Sequence, residues 1–171
     1  GLGSSLWWVL PVEFLDGSMI GTPDDWSCMP DDEFTFSENG VFTYEANGDM
    51  RNDGYFGTPN GCWDEGDLSG NAEYFASGEH AYVFTPANGT DRPIITFTNG
   101  PERAAFIGFY KGYYGGENIY LDNPPNGGFP TNRYEVMGYS IGEGPDELFL
   151  SVDITADHSG TAAWSVILVR E

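Results

Sequence analysis

Glycine and proline interrupt this chain so often that long helices have no room to form. With 24 Gly and 11 Pro spread through 171 residues, the uninterrupted windows suit strands of about four to eight residues rather than helices of three turns. Phe, Tyr, Trp, Val, Ile and Thr recur in those windows, and such side chains fit a pleated, half-buried surface. An all-β fold follows. The length is that of one domain with its own core, spanning 1–171. A first residue of Gly1 rather than Met reads as a domain excised from a larger, multimodular protein.

The clearest local signal is Glu33-Phe34-Thr35-Phe36 and Val41-Phe42-Thr43-Tyr44, two alternating runs around Asn39-Gly40. A two-residue turn would pair Phe36 with Thr43 and mix the faces. A three-residue loop, 38–40, instead pairs Phe36 with Phe42 and Phe34 with Tyr44, with Gly40 in the left-handed position. Further strands are expected at 6–14, 81–85, 93–98, 105–110, 133–141, 148–154 and 162–169. In the segment 148–154, Leu148, Leu150, Val152 and Ile154 share the core face. Residues 16–32 read as an acidic loop, 47–66 as a Gly/Asn/Asp-rich loop, and 71–77 as a turn or two of helix. Eight or more short antiparallel strands close into a jelly-roll-like β-sandwich, the preferred architecture, or an up-and-down lipocalin-like barrel, the alternative.

Charge narrows the partners. Six Lys plus Arg face 27 Asp plus Glu, a formal net charge of -21. Nucleic acid and anionic leaflets are bound through clustered cations, so neither is an expected partner, and sulfated or uronic polymers are disfavoured on the same ground. No apolar run approaches the roughly 20 residues of a membrane span, so this domain is not expected to insert into a membrane. The acids themselves read first as a solvated, anionic surface.

Catalytic patterns are sparse. The histidines are His80 and His158, and no nucleophile elbow, phosphate-cradling loop or Cys/His metal spacing is present. Paired carboxylates acting as a glycoside hydrolase stay as an alternative, because 27 acids supply many pairs. The expectation is a domain with no catalytic activity of its own. Asp24-Asp25 with Asp31-Asp32-Glu33, or residues 49–53 with 64–67, offer oxygen ligands for a structural Ca²⁺, without the EF-hand spacing. Cys28 and Cys62 allow one bridge or two free thiols.

The aromatic residues carry the functional reading, at 16% of the chain. Trp7 and Trp8 are adjacent and point to opposite faces of a strand, and Trp164 belongs to the core side of the last strand. Trp26 and Trp63 lie in polar loops, each beside a cysteine, and Tyr113 and Tyr114 sit between glycines. One reading makes these four rings platforms on which sugar rings stack their C–H faces, with Asp25, Asp64 and Glu117 accepting hydroxyl hydrogen bonds. The other packs Trp26 and Trp63 over the cysteines as a plug at one end of the core.

Trp26-Ser27-Cys28, the run Asp31-Asp32-Glu33-Phe34-Thr35-Phe36, Asn39-Gly40 and Phe42-Thr43-Tyr44 together resemble the start of glycan-binding modules of Bacteroidota surface lipoproteins and polysaccharide-degrading enzymes. Ala105-Phe106-Ile107-Gly108-Phe109-Tyr110, Tyr134-Glu135-Val136 and residues 164–169 resemble the later strands of those modules. The acidic 16–32 loop and the 110–133 insertion match no pattern of the family. The resemblance implies a carbohydrate-binding module, extracellular or at the cell surface, whose ligand is a neutral polysaccharide such as the β-glucan laminarin. It also implies neighbouring domains in the parent protein, no cofactor, and an exported context in which Cys28 and Cys62 are bridged. A second implied role is a structural or protein-interaction module of a surface glycan-uptake assembly. The Trp/Cys start and the hairpin are similar to lipocalins as well.

Overall fold

The computed structural model describes residues 12–54, 57–108, 131–142, 144–155 and 159–170. Trp7, Trp8, Tyr113, Tyr114, Glu117 and His158 lie outside the described residues.

Nine strands are described: β1 (Glu33–Phe36), β2 (Val41–Glu45), β3 (Asp49–Asn52), β4 (Gly61–Asp64), β5 (Gly78–Thr85), β6 (Ile94–Thr98), β7 (Thr131–Ser140), β8 (Glu147–Asp153) and β9 (Ala163–Val169). Seven of them form one curled antiparallel sheet in the order β1-β2-β5-β6-β7-β8-β9, and β3 and β4 make a separate two-stranded ribbon. The all-β expectation holds. Within the large sheet each strand pairs with its predecessor along the chain, the ribbon being inserted between β2 and β5, so the path is a meander of hairpins.

The first hairpin has the register that its side chains require. Phe36 pairs with Phe42 and Phe34 with Tyr44, Ser37 N–H donates to the Val41 carbonyl at 2.9 Å, and Gly40 turns at φ 83°. That left-handed value is one glycine adopts without a Cβ clash.

Alternation along the strands then builds the core on one face of the sheet. Phe42 and Tyr44 of β2, Ile95 and Phe97 of β6, Tyr134 and Val136 of β7, Leu150 and Val152 of β8, and Trp164 of β9 are all buried. The rings touch in a chain, with centroids of Phe42 and Phe97 4.5 Å apart, Phe97 and Tyr134 5.7 Å, and Tyr44 and Phe106 4.7 Å. Such offset and edge-to-face pairs add to area burial. Ile154 continues the buried face of β8, and Leu148 packs against it half-buried.

Three expectations are corrected. Residues 12–14 of the expected 6–14 strand form a short 3-10 helix (Val12–Phe14). The described part of the expected strand 105–110 is not a strand: Ala104, Ala105, Phe106 and Ile107 run as buried, irregular chain beneath the sheet. Its backbone bonds go to side chains instead of a ladder, Ile107 N–H donating to Tyr134 Oη at 3.1 Å and Ala105 N–H to Asn99 Oδ1 at 2.9 Å. Apolar composition reported burial there, not extension. The expected 47–66 loop, conversely, contains the ribbon β3–β4, paired from Asp49 with Asp64 to Asn52 with Gly61. The expected helical turn is present as a 3-10 helix (Gly70–Phe75).

Candidate functional site

The ribbon is fastened to the N-terminal loop by one disulfide and one buried cation. Cys28 and Cys62 are bonded, which joins the loop to β4. A disulfide of this kind forms and persists in a non-reducing compartment, extracellular or periplasmic. Among the described residues no helix is long and apolar enough to cross a membrane.

Arg51 on β3 is 3% exposed. Its Nη1 donates to the carbonyls of Pro23 and Asp25, each at 2.9 Å, and its Nη2 to Asp53 Oδ1 at 3.0 Å. The guanidinium lies 3.9 Å from the centroid of the Trp26 ring. A planar cation with several donors is the one side chain that can satisfy two carbonyls and a carboxylate while stacking on an indole. Trp26 itself is 4% exposed, and its backbone N–H donates to the Phe14 carbonyl at 3.0 Å. The structure therefore places Trp26 in the core, under Arg51, and not on an accessible platform.

Asp25 is likewise structural. Its carboxylate accepts from Ser27 Oγ at 2.7 Å, Ser27 N–H at 3.1 Å and Gly21 N–H at 3.3 Å. Burial opposes its charge, yet the bonds from Ser27 and Gly21 and the nearby Arg51 hold its carboxyl below the usual range. It shapes the loop instead of facing solvent, since it too is buried.

Trp63 and Asp64 stand differently. Trp63, on β4 opposite Met50, is half-buried, with its indole Nε1–H donating to the Pro59 carbonyl at 2.9 Å. The same carbonyl accepts from Nδ2 of the buried Asn52 at 2.9 Å, and Asn52 Nδ2 also donates to the Gly57 carbonyl at 2.9 Å. Asn52 thus fixes the loop that fixes the indole. Next to it, Asp64 is exposed and caps the following 3-10 helix (Glu65–Asp67) by accepting from Gly66 N–H at 2.8 Å.

Carboxylates crowd this end of the molecule. Asp49 and Asp64 face each other across the ribbon, and like charges directly opposite are unfavourable. Burial, with Asp31, Asp25 and Asp64 nearby, pushes the Asp49 carboxyl up. Asp32 is pushed up to about 8, chiefly by burial and further by Asp31, Asp49 and Glu65, against the hydrogen bond from Tyr44 Oη at 3.2 Å. The two acidic clusters read from the sequence as Ca²⁺ loops contribute to one neighbourhood, but among the described residues no three carboxylates, histidines or cysteines are grouped to hold a metal ion.

The sequence pattern did not reveal Arg51 or Asn52. A lone Arg among Asp and Asn reads as surface, and its partners Pro23 and Asp25 lie far back along the chain. A comparison of the chain with family models, characterised proteins and solved structures finds no match.

Two outcomes follow from this geometry. Arg51→Met keeps the bulk but leaves the carbonyls of Pro23 and Asp25, the latter in a buried bond, without their charged donor, and is expected to destabilise the fold by about 3 kcal/mol in chemical denaturation. For Asp32, a raised folded-state value means stability is fully present below about 3.8 and is lost as pH rises toward about 8. Asp32→Asn keeps the acceptor for Tyr44 and removes that loss, so its melting temperature is expected to match the parent at pH 4 and exceed it progressively up to pH 8. A gain of equal size at both pH values would refute the buried-carboxyl account.

Proposed function

We propose that this domain binds a neutral polysaccharide without transforming it, with Trp63 as the stacking surface. The observation that carries the reading is the mounting of that indole. Trp63 is partly exposed on a ribbon locked by the Cys28–Cys62 bond, and its orientation is set by the bond to Pro59. Exposed Asp64 adjoins it. A fixed aromatic face beside acceptors suits a sugar ring, whose axial C–H groups stack while its hydroxyls donate. Preorganisation reduces the ordering cost of binding.

The resemblance to Bacteroidota glycan-binding modules narrows the ligand to a β-glucan such as laminarin and the setting to the cell surface, beside neighbouring domains of a larger protein. Tyr113, Tyr114 and Glu117 remain proposed contributors in the segment outside the described residues. The net charge of -21 supports a neutral ligand: alginate, carrageenan and DNA would meet repulsion, whereas neutral glucan binding is expected to persist at high salt.

A second reading, a module that packs against a partner domain, is favoured by the apolar outer side of β9. Ile167 is 56% exposed, Val169 55%, and Ile167 pairs with Phe149 of β8. Contiguous exposed apolar side chains of this kind mark contact surfaces.

The two tryptophans separate binding from folding. Trp63→Ala is expected to weaken laminarin-oligosaccharide binding by about 2 kcal/mol, roughly thirtyfold, with a small change in melting temperature. Trp26→Ala is expected to cost about 3 to 5 kcal/mol of stability with or without sugar. A stable Trp63→Ala that binds like the parent removes the ribbon from the site. Ile167→Ser, on the outer side of β9 away from the ribbon, should leave glucan affinity unchanged.

A further inference from the structure

We propose that His80 is a proton-sensitive latch that holds the turn at residues 99–103, and the buried segment 104–108 after it, against strand β5. His80 is 4% exposed and lies on β5 opposite Phe42 of β2. Its Nδ1 accepts the backbone N–H of Gly100 at 3.0 Å. A backbone N–H can only donate, so Nδ1 is the bare nitrogen and the ring proton sits on Nε2. Nε2 is buried with no hydrogen-bond partner among the described residues.

The turn rests directly on the strand. A Cβ at Gly100 would run into the Glu79 carbonyl oxygen, so no side chain fits between turn and strand at that point. Alongside it, Arg103 Nε donates to the Ser77 carbonyl at 3.1 Å and Ala104 N–H to the Tyr74 carbonyl at 2.6 Å. The segment so fastened contributes Ala104, Ala105, Phe106 and Ile107 to the core, none more than 2% exposed. It closes the underside of the sheet against Tyr44 and Tyr134.

A second proton on His80 must go to Nδ1, the atom that accepts from Gly100. Two N–H groups then face each other and the bond is lost. The new charge would also be stranded. From β2 the facing side chain is Phe42, its ring centroid 5.8 Å away; from the turn side the charged group is Arg103, which repels it. The carboxylates adjacent in the chain, Glu79 and Glu102, are exposed. Burial and then Arg103 hold the imidazole down to about 4. With a depressed folded-state value, the penalty is absent above about 6.5 and grows as pH falls toward about 4. Acid therefore favours the undocked turn, in which His80 is free to take its proton.

The test is amide exchange followed by NMR from pH 7.5 to 3.5, corrected for intrinsic rates, in the whole domain. The amides of Gly100, Ala104 and Ile107 report the segment, and those of Leu150 and Val152 report global unfolding. The segment's opening constant is expected to rise by on the order of 100-fold relative to β8 on acidification, and His80→Gln, which offers a neutral acceptor, should abolish that rise. Imidazole nitrogen shifts of the unaltered protein decide the matter even if the variant fails to fold: Nδ1 should be unprotonated at pH 7 and the ring should titrate well below 6. Titration near 6.5, a proton on Nδ1 at neutral pH, or opening in step with β8 would overturn the latch.

Discussion

The guanidinium of Arg51, stacked on Trp26 and bonded to the carbonyls of Pro23 and Asp25, is the contact on which the candidate site depends. It joins a strand of the ribbon to a loop that has almost no regular structure of its own. The disulfide adds a second tie a few residues away. Together they convert a polar, glycine-rich stretch into a rigid mount, and only a rigid mount can hold the Trp63 ring in one orientation. A chain with 27 acidic and six basic side chains has few cations to place, and burying one where backbone carbonyls converge offsets part of the local negative field.

Burial leaves its own marks on charge, pushing Asp32 up and, together with Arg103, holding His80 down. Asp32 and His80 are two titratable groups held away from their ordinary values in directions that disfavour charge, Asp32 upward and His80 downward. Their consequences for folding oppose each other between about pH 4 and 6.5: protonation of Asp32 favours the fold, while His80 opposes it as acid accumulates. Both sit beneath aromatic rings of the same hairpin, Asp32 bonded to Tyr44 and His80 beside Phe42. The core that the alternating Phe/Tyr pattern builds is therefore also what desolvates them.

How much of this was legible depends on whether the information was local. The hairpin of β1 and β2 was, because a one-residue slip would have moved Phe36 and Phe42 to opposite faces. The core faces of β8 and β9, including Leu150, Val152 and Trp164, were legible from their period of two. The ribbon was not: Asp49-Met50-Arg51-Asn52 and Gly61-Cys62-Trp63-Asp64 carry little β-propensity, and they are tied to the rest of the chain by the disulfide and Arg51, which reach the 16–32 loop, and by Asn52, which reaches the carbonyls of Gly57 and Pro59. Trp26 was ambiguous for the same reason, since its burial is made by a residue from another part of the chain. The apolar segment around Phe106 misled in the opposite sense, because burial without a neighbouring strand gives the same composition as a strand.

A neutral β-glucan is proposed to stack on the Trp63 indole of the ribbon. Chemical-shift mapping with a neutral β-glucan oligosaccharide reads it directly, through the Trp63 indole Nε1–H and the backbone amides of residues 60–66. If the sugar stacks there, saturable shifts are expected to concentrate on that indole and on Asp64, with the amides of β8 and β9 unmoved. Shifts confined to the outer face of β9, or none at millimolar oligosaccharide, would contradict it.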